Sequence, residues 1–153
     1  MALQRIDHYL LQTTDLAATR DWYVDVLGMR EGPHPDFKFP VVWLYLGDKD
    51  VLHVSEGGRN ISENRKRYLG QESTAERGSG VIDHIAFAGT GLAQMIEHLE
   101  QRGVEFQRRM VNDQGLYQLF LKDPVNGVKV ELNYANAEAI AAGIKPELMA
   151  SQL

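Results

Sequence analysis

A chain of 153 residues with 44% apolar and 24% charged residues has the make-up of a globular protein long enough to bury a core unaided. Its net charge of −5 argues against nucleic acid as the main partner, since that role needs a basic face. Cysteine is absent, which excludes disulfides, restricts any metal site to nitrogen and oxygen donors, and fits a reducing, cytoplasmic setting; no signal-peptide pattern or membrane-length apolar run is visible.

The elements read as follows in chain order. Ile6 to Leu11 is strand-like. Thr14 or Asp15 is a natural N-cap for a helix from Leu16 to Leu27, whose apolar residues Leu16, Trp22 or Tyr23, Val26 and Leu27 recur at helical spacing. Gly28 ends it, because glycine takes a left-handed conformation at little cost. A short strand near Met29 to Glu31 precedes a proline-rich loop from Gly32 to Pro40. Val41 to Leu46 and Val51 to Ser55 form a hairpin joined by Gly47-Asp48-Lys49-Asp50. The stretch from Gly57 to Gly80, rich in Gly, Ser and charge, is a solvated linker or a lid.

The order then repeats. Val81 to Ala88 is a strand, Leu92 to Arg102 a helix stopped by Gly103, and Val104 to Val111, Tyr117 to Lys122 and Val128 to Asn133 are strands. Asp123-Pro124-Val125-Asn126-Gly127 forms the last turn. The tail from Asn136 carries two short helical patterns separated by Gly143 and Pro146; it is expected to cap a sheet edge or reach a partner subunit. The reading is an α+β chain of two tandem βαβββ modules, at 1–56 and 81–135, with a linker or lid at 57–80 and a helical tail at 136–153.

The repeat carries the chemistry. Ile6-Asp7-His8 recurs as Ile82-Asp83-His84, 76 residues on, and the helices open at Leu16 and Leu92 with the same offset. His53 and Glu131, in the last strand of each module, stand 78 residues apart. In these strands Leu52 and Val54 share one face and Val130 and Leu132 another, so His53 and Glu131 point away from the apolar side. A strand histidine taken singly is more often a packing residue, and a strand glutamate more often faces water. Four repeat-equivalent positions that all hold divalent-metal donors single out His8, His53, His84 and Glu131 as a metal site. His34, in the proline-rich loop, and His98, on the second helix, fall outside the pattern and are expected to face solvent. Tyr9, Trp43, Tyr45 and Tyr117 are candidates to contact an aromatic substrate, or equally for cross-strand packing.

These residues, with Trp22 to Met29 and Phe120 to Leu132, resemble the vicinal-oxygen-chelate superfamily: glyoxalase I, fosfomycin- and bleomycin-resistance proteins, and extradiol dioxygenases. The resemblance covers nearly the whole chain to Tyr134. It implies paired βαβββ modules forming a cupped mixed sheet with helices outside, around a divalent metal (Fe, Mn, Ni or Zn) that takes two neighbouring oxygens of a small substrate. It also implies a dioxygenase-like reaction on a triad of His8, His84 and Glu131, or a glyoxalase-like one in which Glu131 is catalytic and shuttles a proton; a metal-free binding protein is the third alternative. A homodimer is expected. Phe120 stands where ring-cleavage members carry a tyrosine, and His53 where glyoxalase I carries a carboxylate.

Overall fold

A computed structural model describes residues 2, 4–71 and 73–152. The chain divides into two compact units, 1–77 and 78–153, each an α+β assembly around its own mixed sheet.

The first unit runs β1 (Tyr9–Thr13), α1 (Leu16–Asp25), β2 (Arg30–Gly32), β3 (Val41–Leu46), β4 (Lys49–Glu56) and α2 (Glu63–Leu69). The sheet order is β1-β4-β3-β2, with β1 parallel to β4 and the other pairs antiparallel. Leu44, Leu52 and Val54 are fully buried beneath α1, which packs on β3 and β4 through Thr19 and Tyr23. The helix starts where Asp15 Oδ1 accepts the Ala18 N–H at 3.0 Å, satisfying an orphan donor of the first turn.

The second unit runs β5 (His84–Ala88), α3 (Leu92–Gln101), β6 (Phe106–Val111), β7 (Leu116–Lys122), β8 (Lys129–Ala135), α4 (Asn136–Ala142) and β9 (Leu148–Met149). Its order, β5-β8-β7-β6-β9, is that of the first sheet with one strand added. The buried Leu92, Ile96 and Leu99 of α3 fall at helical spacing. The start of α3 has no side-chain cap of its own; Glu138 of α4 accepts from Gly91 N and Leu92 N at 2.9 and 2.7 Å. In the last turn Asp123 Oδ1 accepts from Val125 N and Asn126 N at 2.7 and 3.0 Å, so the Asp-Pro…Gly pattern works as a buried turn nucleus.

The fold class and the βαβββ order agree with the sequence reading; several boundaries do not. β1 begins at Tyr9 and β5 at His84, later than expected, because pairing with β4 and β8 starts only there. His8 therefore sits one residue ahead of its strand, and Ile6, Val81 and Ile82 are exposed. The hairpin turn is tighter, since Lys49 and Asp50 already pair with Leu46 and Tyr45. The 57–80 segment contains α2, capped by Ser62, and is tied back by Gln12 Nε2 donating to Ala75 O at 2.9 Å. The second helical pattern of the tail is instead β9, pairing parallel with β6, followed by a 3-10 turn.

Candidate functional site

Strand register puts the two final-strand candidates, His53 and Glu131, at equivalent places. Leu10 pairs with His53 across β1 and β4, and Ala86 pairs with Glu131 across β5 and β8. Both donor side chains are buried, each with 7% exposure, so neither is a solvent-facing strand residue.

In the second unit His84 Nδ1 lies 2.9 Å from Asp83 Oδ2, and Lys129 Nζ lies 2.6 Å from the same oxygen. Lys129, then His84, hold the Asp83 carboxyl below its ordinary value. Asp83 is placed to accept an Nδ1 proton, the tautomer that leaves a lone pair on Nε2. That nitrogen lies 2.9 Å from Glu131 Oε2. This is an ordinary N–H···O hydrogen-bond distance, and a metal ion can take the place of the proton between the same two atoms. The other carboxylate oxygen, Oε1, accepts from Gln118 Nε2 at 2.8 Å. Phe120, the direct cross-strand partner of Glu131, meets the His84 ring edge-on at 6.0 Å.

The first unit repeats the histidine support. His8 Nδ1 lies 2.8 Å from Asp7 Oδ2, and Lys49 Nζ lies 2.9 Å from Asp7 Oδ1. His8, then Lys49, lower the Asp7 carboxyl. The His53 ring stacks between His8 and Trp43, with centroids 3.8 Å apart on each side. His53 Nε2 lies 2.7 Å from Asp50 Oδ2. Burial pulls His53 below the usual imidazole range against the opposing pull of Asp50, while His53 and then Lys49 lower Asp50 to about 2. Both shifts fit a neutral imidazole donating its Nε2–H to an ionised carboxylate.

His8, Asp50 and His53 thus form a donor cluster whose ligand atoms all lie within 4.8 Å of one another. Sequence reading missed Asp50 because residues 50 and 53 should point to opposite faces of a regular strand. The register shows why they do not: Leu44 pairs with Leu52 but Tyr45 with Asp50, so Val51 is an extra residue on β4. This bulge turns Asp50 to the face of His53. Asp7 and Asp83 were on view in the repeated Ile-Asp-His triplets, but their support of the histidines emerges only from side-chain geometry.

Of the remaining candidates, Trp43 stacks on His53. Tyr45 donates its hydroxyl to Pro33 O at 2.5 Å under the Arg30 guanidinium. Tyr9 is half-buried opposite Leu52. Tyr117 is fully buried, its hydroxyl donating to Lys145 O at 2.9 Å, and burial pushes its ionisation upward. His34 is exposed, and His98 is half-buried on α3. Among the described residues, no helix is long and apolar enough to cross a membrane.

Solved structures share this fold. A lactoylglutathione lyase from Agrobacterium tumefaciens is 18% identical, with 88% of this chain and 96% of that one covered at a TM-score of 0.59. A genomically encoded fosfomycin resistance protein from Listeria monocytogenes is 16% identical, covering 90% and 98% at 0.61. A glyoxalase/bleomycin resistance protein/dioxygenase from Nocardioides is 18% identical, covering 88% and 85% at 0.63. The family profile described as Glyoxalase/Bleomycin resistance protein/Dioxygenase superfamily matches residues 5–132, most of the sequence, and the chain belongs to that superfamily.

Proposed function

We propose that this protein is a divalent-metal-dependent enzyme of dioxygenase-like type, acting on a small substrate through two neighbouring oxygens. His8, His53, His84 and Glu131 are the proposed donors. The observation that carries the reading is the 2.9 Å approach of His84 Nε2 to Glu131 Oε2, with His84 Nδ1 already engaged by Asp83. Three imidazoles and a carboxylate, with no thiolate, suit Fe, Mn, Ni or Zn. When bound, such an ion supplies Lewis acidity at the substrate oxygens.

The chain's own residues do the rest. Asp7 and Asp83 fix the tautomer and ring orientation of His8 and His84. Gln118 holds Glu131 Oε1, leaving Oε2 as the oxygen that binds or takes a proton. Tyr9, Trp43 and Tyr45 are the proposed substrate contacts; Tyr117, closed off by Lys145, packs the tail. The working form is proposed to be a cytoplasmic homodimer.

Phe120 favours a second reading, a glyoxalase-like lyase or isomerase. A hydrocarbon ring stands opposite Glu131, where ring-cleavage members carry a tyrosine, so Glu131 would be the group that moves a proton between adjacent carbons.

Elemental analysis of wild type and His53→Ala tests the metal, and turnover of vicinal-oxygen compounds with and without O₂ tests the reaction. Metal in wild type and turnover that stops without O₂ support the first reading. Undiminished anaerobic turnover moves the assignment to the lyase. Absence of metal after reconstitution moves it to a ligand-sequestering protein.

A further inference from the structure

Asp50 belongs to no repeat: the residue three before Glu131 is Val128, and β8 carries no bulge against β7. The irregularity in β4 therefore serves the first unit alone. Its effect is to place a carboxylate oxygen 2.7 Å from His53 Nε2, the nitrogen whose proton a bound ion would displace as the imidazole changes tautomer. His8 Nδ1 lies 2.8 Å from Asp7 Oδ2, a partner that favours the tautomer with a lone pair on Nε2.

We infer that Asp50 is a metal donor, and that His8, Asp50 and His53 together hold a divalent cation without help from His84 or Glu131. The inference rests on the proposed function only in taking His8 and His53 as donors. Two nitrogens on a tetrahedral ion stand about 3.3 Å apart. The three donor atoms lie mutually within 4.8 Å, and because the His8 and His53 rings are stacked, one ring must turn for both nitrogens to face one ion. Asp7 and Asp50 share Lys49, at 2.9 Å from Asp7 Oδ1 and 3.0 Å from Asp50 Oδ1, and Arg5 lies 3.9 Å from Asp7; Asp50 Oδ2, on His53 Nε2, is the oxygen that would face the ion. Trp43 lies flat on His53, so its fluorescence reports a paramagnetic ion bound there.

The experiment titrates metal-free full-length protein with Co²⁺, read by visible absorption and tryptophan quenching. Wild type, His84→Ala/Glu131→Gln, and that double variant with Asp50→Asn are compared, with circular dichroism confirming the fold. His84→Gln/Glu131→Gln replaces the double change should the latter not fold. The expected result is one Co²⁺ per chain in the double variant, weakened more than 100-fold by Asp50→Asn. That exceeds the roughly 10–100-fold loss that follows removal of an outer-shell partner. Asparagine keeps an oxygen for the His53 N–H, so the loss reports the anionic donor. A smaller loss overturns Asp50 as a donor. A folded double variant that binds nothing, beside a wild type that binds, overturns the first-unit site and leaves the proposed function standing. Failure of both to bind overturns both.

Discussion

Glu131 Oε2 lies 2.9 Å from His84 Nε2, while His84 Nδ1 lies 2.9 Å from Asp83 Oδ2. On the proposed function, a metal ion replaces the proton of this contact. Metal content should accordingly fall from about one ion per chain to near zero in His8→Ala, which serves both the four-donor set and the first-unit cluster, while Glu131→Ala should weaken metal affinity, measured by elemental analysis and chelator competition after reconstitution. Full metal retention in both variants is incompatible with the proposed donor set.

The carboxylates behind the histidines should matter almost as much as the donors. Asp83→Asn and Asp7→Asn are each expected to weaken metal affinity about 10–100-fold, because the imidazole loses the partner that sets its tautomer. Competition against a chromophoric chelator measures this. Unchanged affinity in both would reduce the two aspartates to surface residues.

Glu147 anchors the tail. Its carboxylate accepts the Arg108 backbone N–H at 3.1 Å and meets Arg109 Nη1 at 3.1 Å, and the Arg108 bond is the main reason its carboxyl lies below the ordinary value of 4.5. A folded-state value lowered in this way contributes stability above pH 4.5 that disappears as pH falls through the lowered value. The melting temperature of wild type should exceed that of Glu147→Gln at pH 7, and the two should converge in acid. A gap that widens in acid would contradict the anchoring role.

Two glycines should fail for different reasons. A Cβ on Gly57 would sit 2.5 Å from Gln12 Cβ and 3.1 Å from its carbonyl carbon, so Gly57→Ala should cost about 1–3 kcal/mol through overpacking. Gly28 has open space around it but φ of +71°, so Gly28→Ala should cost about 1–2 kcal/mol through backbone strain alone. Urea unfolding gives both values. A neutral Gly57→Ala would mean that the 57–71 segment yields easily from β1.

The repeat of the module was legible because the Ile-Asp-His triplets and the strand alternation are local patterns, written directly in residue order. His53 and Glu131 followed from the same alternation. Asp50 was not legible, since its place beside His53 depends on an extra residue in β4 that only cross-strand register reveals. The tail misled for a related reason: Leu148 and Met149 are good helix formers, yet pairing with Arg109 and Met110 draws them into a strand. α2 was hidden by the glycine- and serine-rich composition around it, although Ser62 caps it by accepting from Arg65 N.

The two ladders tolerate unequal lengths of chain between them. His53 and Glu131 keep the same sheet position although the spacing between repeats slips from 76 to 78 residues along the way. Additions to this fold are therefore graded by address. One residue added at Gly47-Asp48 lengthens a turn, whereas one added between Leu52 and Val54 rotates the inward-facing row of β4 outward and takes His53 with it. Insertional scanning along the gene would recover the donors as narrow intolerant windows set among permissive hairpin tips.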